Sequence, residues 1–207
     1  MNGPIPYLYS KMQINLDKTR LSVTFPFAAV VTLMLLLCDE EIVSISLFSS
    51  FFHEGGHLFF MYLFDEKPLC ITFGAFGIRI ERNCNSRLEP KKESWIALGG
   101  IFGNCLLFVC GFTFYLLYNG MWAARLAAVN FFIAAFNMLP VRSLDFGRCL
   151  ECLLSDSQKG DRVLSVLSVI TAVFVAAGCL IYNAFVSLNV SLIAVSVYII
   201  LITTLKE

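Results

Sequence analysis

Two histidines stand four residues apart in His53-Glu54-Gly55-Gly56-His57, and they are the chain's only histidines. Residues at that spacing share a helical face, so both imidazoles can reach one metal ion. Glu54 is rotated by about 100° from His53 on the same helix and can approach a water at that metal. A tetrahedral zinc ion held by two imidazoles needs one more protein ligand and keeps one position open. Zinc lowers the pKa of such a water, and a neighbouring glutamate accepts its proton. The pattern points to hydrolytic metal chemistry with one Zn2+ per chain.

The motif lies inside an apolar stretch, Ile42 to Phe64. Ionisable residues are rare within membrane spans and mark functional sites there. A chance motif in such a place would bury two imidazoles and a carboxylate without partners, which is costly. Ser46, Ser49 and Ser50 precede His53 on a similar face and extend a polar stripe toward a bundle interior. Gly55 and Gly56 predict close approach by another helix.

A third ligand must come from another element. Carboxylates near apolar segments are few, and the best placed is Asp145, in Asn137-Met138-Leu139-Pro140-Val141-Arg142-Ser143-Leu144-Asp145. Pro140 breaks or kinks a helix and can turn Asp145 back toward the bundle. Spacing alone leaves two roles open: a metal ligand, or a surface aspartate paired with Arg142 or Arg148.

The elements that must position these residues follow from hydropathy. Hydrophobic residues make up 58% of the 207, charged residues only 14%, and net charge is zero. Soluble domains carry about a quarter charged residues, so a bilayer is the more natural solvent. Zero net charge gives no reason to expect nucleic acid. Six apolar stretches are spaced as transmembrane helices: Ser22 to Leu37, Ile42 to Phe64, Trp95 to Tyr118, Met121 to Pro140, Val163 to Tyr182, and Phe185 to Leu205. The first is short for a span of roughly 20 residues. All lysines and arginines but Arg125 fall on one side of this map. The positive-inside rule makes that side and both termini cytoplasmic. The acidic trio Asp39, Glu40 and Glu41 falls outside. A signal peptide is disfavoured, since no small-residue cleavage site follows the first stretch.

Between the second and third stretches, Ile71 to Arg82 alternates with period two, predicting a short strand pair bent at Gly74 and Gly77. The expected architecture is an all-α integral membrane protein with about six transmembrane helices and a short membrane-associated β segment after the second span. Residues 1–207 form a single polytopic domain, with the motifs in a core at 42–147. The eight cysteines are scattered through apolar runs and read as small buried residues. Cys149 and Cys152 form a CxxC, which needs further ligands to be a second metal or redox site.

At His53, Glu54 and His57, and at Asn137, Pro140, Leu144 and Asp145, the chain resembles the site-2 protease family of intramembrane zinc metalloproteases. That family carries HExxH on one core span and NxxPxxxLDG at a later one. The resemblance implies that His53, His57 and Asp145 are zinc ligands, Glu54 the general base, and Asn137 a contact to substrate or the developing oxyanion. Gly99-Gly100-Ile101-Phe102-Gly103-Asn104 is similar to the family's Gly-rich stretch ending in Asn. The six-span layout is nearest the compact bacterial branch that includes the sporulation pro-sigma-factor proteases. Two positions depart: Ile101 replaces the family's proline, and Phe146 replaces the glycine after the aspartate, with Gly147 as the residue that can take over the turn.

Three functions compete. The first is an active protease cutting a membrane-embedded protein substrate, whose helix must unwind and could pair with the Ile71 to Arg82 strands. The second is a catalytically inactive metal-binding homologue that binds or regulates a membrane partner, favoured by Phe146. The third is a transporter that uses the histidines for ion passage. Intact Glu54 and the Asn137 to Asp145 match favour the first. The inter-span loops are too short for an added recognition domain, so substrate choice falls to the bundle, the cytoplasmic loops or a regulatory membrane protein.

Overall fold

A computed structural model describes residues 11–16, 19–66, 68–74, 77–82, 88–154, 158–185 and 196–197. In chain order these form β1 (Lys11–Leu16), β2 (Thr19–Thr24), α1 (Phe25–Leu37), α2 (Glu40–Leu63), β3 (Pro68–Gly74), β4 (Gly77–Arg82), α3 (Pro90–Tyr118), α4 (Met121–Asn137), α5 (Asp145–Leu154) and α6 (Gln158–Phe185).

The helices carrying the motifs pack as a bundle of α2, α3 and α4. Asp39 caps α2, its carboxylate accepting from the backbone N–H groups of Glu41 at 2.9 Å and Ile42 at 3.3 Å. Glu40 and Glu41 fill the first turn, where the helix dipole favours negative charge. Arg125 near the start of α4 pairs with Glu41 and lies 3.8 Å from Asp39. The one basic residue that the charge map sets apart therefore sits at the acidic end of the bundle. Gly56 of α2 meets Gly99 of α3 so closely that a Cβ at Gly56 would stand 2.1 Å from the Gly99 carbonyl oxygen. Gly55 makes no such contact, so only one of the two glycines serves the crossing.

The sheet is larger than the strand pair expected from alternation. β3 and β4 pair antiparallel, with Gly74 opposite Gly77 at the turn, as the sequence implies. β2 adds in parallel to β3, and β1 in antiparallel to β2, giving the order β1-β2-β3-β4. Residues 22–24, which hydropathy assigns to the first span, belong to β2. Ser22 and Thr24 are buried there because they are paired across the sheet. The Ser22 and Thr72 hydroxyls lie 2.9 Å apart, and the Thr24 hydroxyl donates to the Phe73 carbonyl at 2.8 Å. α5 is a second element not foreseen.

Polar and apolar residues are placed opposite to the usual soluble pattern. Ser49, Asn104 and Asn130 are wholly buried, whereas Phe25, Leu36, Leu37, Phe132 and Phe174 are exposed, and α1 buries no residue. Among the described helices, two are long and apolar enough to cross a bilayer, Pro90–Tyr118 and Lys159–Asn183. α1 and α4 are apolar but shorter, and in α2 the serines and the His-Glu motif dilute the apolar run. Two spans, not six, are thus met by length and composition. The expected sixth, Phe185 to Leu205, lies almost wholly outside the described residues. Exposed apolar helices of this kind fit a membrane protein.

Candidate metal centre

α2 delivers His53 and His57 on one face, and the Pro140 break delivers Asp145 to the same point. α4 ends at Asn137. Beyond it, Val141 and Leu144 are buried, the Leu144 N–H donates to the Val141 carbonyl at 2.8 Å, and α5 opens with Asp145. The His53 Nε2 stands 3.0 Å from Asp145 Oδ2, His57 Nε2 stands 3.3 Å from the same oxygen, and the two nitrogens are 3.3 Å apart.

That triangle fits a metal. A tetrahedral zinc with ligand bonds of about 2.0–2.1 Å sets its ligand atoms roughly 3.3 Å apart. Among the described residues, His53, His57 and Asp145 form the one His/Cys/Asp/Glu group suited to holding an ion. Asp145 Oδ2 is buried, and its polar neighbours are the two imidazole nitrogens, the arrangement of three ligand atoms around one cation. His57 is fixed from behind, its Nδ1–H donating to the Ile96 carbonyl at 2.8 Å, the usual orienting contact of a ligand imidazole. Gly100 makes room for the rings: a Cβ there would lie 2.5 Å from both His53 Cε1 and His57 Nε2.

Among the described residues, neither rival partner, Arg142 or Arg148, forms an ion pair with Asp145. Arg142 pairs with Asp161 and donates to its backbone carbonyl at 3.1 Å, and Arg148 is exposed at the cavity wall. Phe146 occupies the first turn of α5 with no left-handed backbone, so no glycine is needed at that position. The close approach falls on Gly147, where a Cβ would stand 1.9 Å from the Val141 carbonyl oxygen.

A cavity of about 790 Å³ opens over this centre. Glu54 lines it beside the three converging side chains, as do Asn137, Ile78 and Ile80. Asn137 Nδ2 donates to the Ile133 carbonyl at 3.0 Å, which fixes its carboxamide at the cavity wall. Cys152 also lines the cavity. Burial, with Glu93 and Glu151 adding to it, pushes its thiol up to about 11, and burial raises Cys149 too. Neither is poised as a thiolate, so the CxxC reads as packed thiols. Sequence reasoning did not single out Ile96, whose contribution is a backbone carbonyl and leaves no side-chain signature.

Fold and site together define a helical, membrane-type protein with a buried His/His/Asp centre beneath a mixed apolar and polar cavity. The sequence matches no family model and no curated protein. The structure is similar to the site-2 protease from Methanocaldococcus jannaschii, with a TM-score of 0.62, 18% identity and coverage of 94% of each chain. At that identity the likeness is one of fold, and it is the fold that the motif resemblance implies.

Proposed function

We propose that this chain is an intramembrane zinc metalloprotease that hydrolyses a peptide bond within or near a transmembrane segment of a membrane-bound substrate. The observation that carries the reading is the convergence of His53, His57 and Asp145 at 3.0–3.3 Å with Glu54 on the same cavity. A zinc ion held there supplies Lewis acidity, lowering the pKa of a water and polarising the scissile carbonyl. Glu54 accepts the proton that the attacking water loses and returns it to the departing amine, so water adds across the C–N bond and both carboxyl and amine products leave. Asn137, on the cavity wall, contacts the substrate or the oxyanion.

The substrate is a membrane-embedded protein whose helix unwinds locally, because hydrolysis needs an extended backbone. β4 is an edge of the four-stranded sheet and turns Ile78 and Ile80 to the cavity, a placement suited to receiving that backbone by strand addition. The topology that goes with this proposal is the six-span map read from hydropathy and charge, with both termini cytoplasmic; the pairing of Arg125 at the acidic end of α2 supports its placement of that end outside. Selection of the substrate involves the bundle, the cytoplasmic loops or a regulatory membrane protein.

The purified protein in detergent should hold about one zinc per chain and cleave a single-span substrate protein. His53→Ala and His57→Ala should each lose tight zinc and cleavage together. Full zinc in both variants would refute the assignment. The alternative, a metal-binding homologue without activity, rested on Phe146; the ordinary helical backbone at that residue favours the active reading.

A further inference from the structure

A metal-bound imidazole offers one nitrogen to the ion and leaves the other to be held by the protein, which fixes tautomer and ring orientation. For His57 the holder is the Ile96 carbonyl. For His53 no such contact exists, and its Nδ1 is buried without a hydrogen-bond partner. The same helix bundle holds two buried side-chain acceptors that are also unpartnered, Asn104 Oδ1 and Asn130 Oδ1.

Placement separates the two. Gly100 of α3 abuts both imidazoles, and Gly103 lies 3.1 Å, at its virtual Cβ, from the Phe52 carbonyl oxygen. Asn104 follows Gly103 and sits one helical turn beyond Gly100 on the same face, opposite the Phe52–His53 stretch of α2. It is wholly buried, and both polar atoms of its carboxamide lack partners. Asn130 is held elsewhere: its Nδ2 donates to the Ser49 hydroxyl at 2.9 Å and to the Leu126 carbonyl at 2.8 Å, a turn of α2 before His53.

We propose that Asn104 is the positioning residue for His53: one buried water accepts the Nδ1 proton of His53 and donates to Asn104 Oδ1, and so commits Nε2 to the metal. A carboxamide suits the task, because it accepts a hydrogen bond without bringing a second charge into the apolar bundle. The inference rests on the metal-site reading above and extends it to the ring's far side.

The test uses the full chain in detergent, with zinc as the probe. Asn104→Leu removes the acceptor at similar volume, and Asn104→Asp keeps an acceptor oxygen. Zinc affinity should fall about 10–100-fold in Asn104→Leu, the usual effect of losing an orienting partner, and stay near wild type in Asn104→Asp. In 1H–15N spectra of the zinc-loaded protein, a slowly exchanging His53 Nδ1–H should be present in wild type and in Asn104→Asp. It should be lost or fast-exchanging in Asn104→Leu, while the His57 Nδ1–H is unchanged in all three. Wild-type affinity and an unchanged His53 signal in Asn104→Leu would overturn the proposal. So would equal losses in both variants accompanied by a disturbed His57 signal, which would mark Asn104 as packing only. A wild-type chain that holds no zinc would bring down the metal-site reading and this inference with it.

Discussion

At the scale of the residue, the centre depends on small side chains as much as on ligands. Gly100 keeps no ligand of its own, yet a methyl there would stand 2.5 Å from both imidazoles. Gly100→Ala should therefore displace the rings and lower zinc retention at least tenfold, as read by metal content after dialysis. Retention equal to wild type would show that the rings have slack. Asp145→Ala should also release zinc, whereas Arg142→Ala should spare it, since Arg142 is tied to Asp161 in a partly exposed pair of small energetic weight. Phe146→Gly should bring no gain in zinc or activity and should cost about 1 kcal/mol of helix stability, because an ordinary helical position loses by becoming glycine. The shared face of His53 and His57 was legible in the sequence from spacing alone. Asp145 was legible only as one of two possibilities, because the decision depends on how the chain turns after Pro140, and on Arg142 finding Asp161 nineteen residues further on.

At the scale of the element, periodicity succeeded where one pattern dominates and failed where two overlap. The apolar runs of α2, α3 and α4 were found nearly to their ends, and β3 and β4 were found from alternation. The end of β2, residues 22–24, was absorbed into the first span because Val23 leads directly into the apolar run from Phe25, while the partners of the Ser22 and Thr24 hydroxyls lie about fifty residues away. α5 was passed over because it is short and amphipathic, with charged residues among Asp145–Leu154, and a search for apolar runs does not see it. The edge strand carries a test of the substrate path. Proline at Ile78 or Ile80 removes a backbone donor from β4. Cleavage should drop in these variants while zinc content holds. Unimpaired cleavage in both would leave the sheet a structural part only.

At the scale of the whole molecule, burial of asparagine and serine inside a shell of exposed Phe and Leu is the arrangement lipid selects. Reporter fusions after the C-terminus and near Glu40 should read opposite compartments, with the C-terminus cytoplasmic. Agreement between the two reporters would contradict the six-span map. The central claim is that the cavity over His53, His57 and Asp145 is a peptidase site in which Glu54 moves the proton. It is tested most directly by comparing wild type with Glu54→Gln for zinc content and for cleavage of a single-span membrane protein in the same preparation. The amide cannot accept the water's proton, yet it leaves the three ligands in place. Zinc should remain at about one per chain and cleavage should vanish; continued turnover by Glu54→Gln at the wild-type rate would contradict the account.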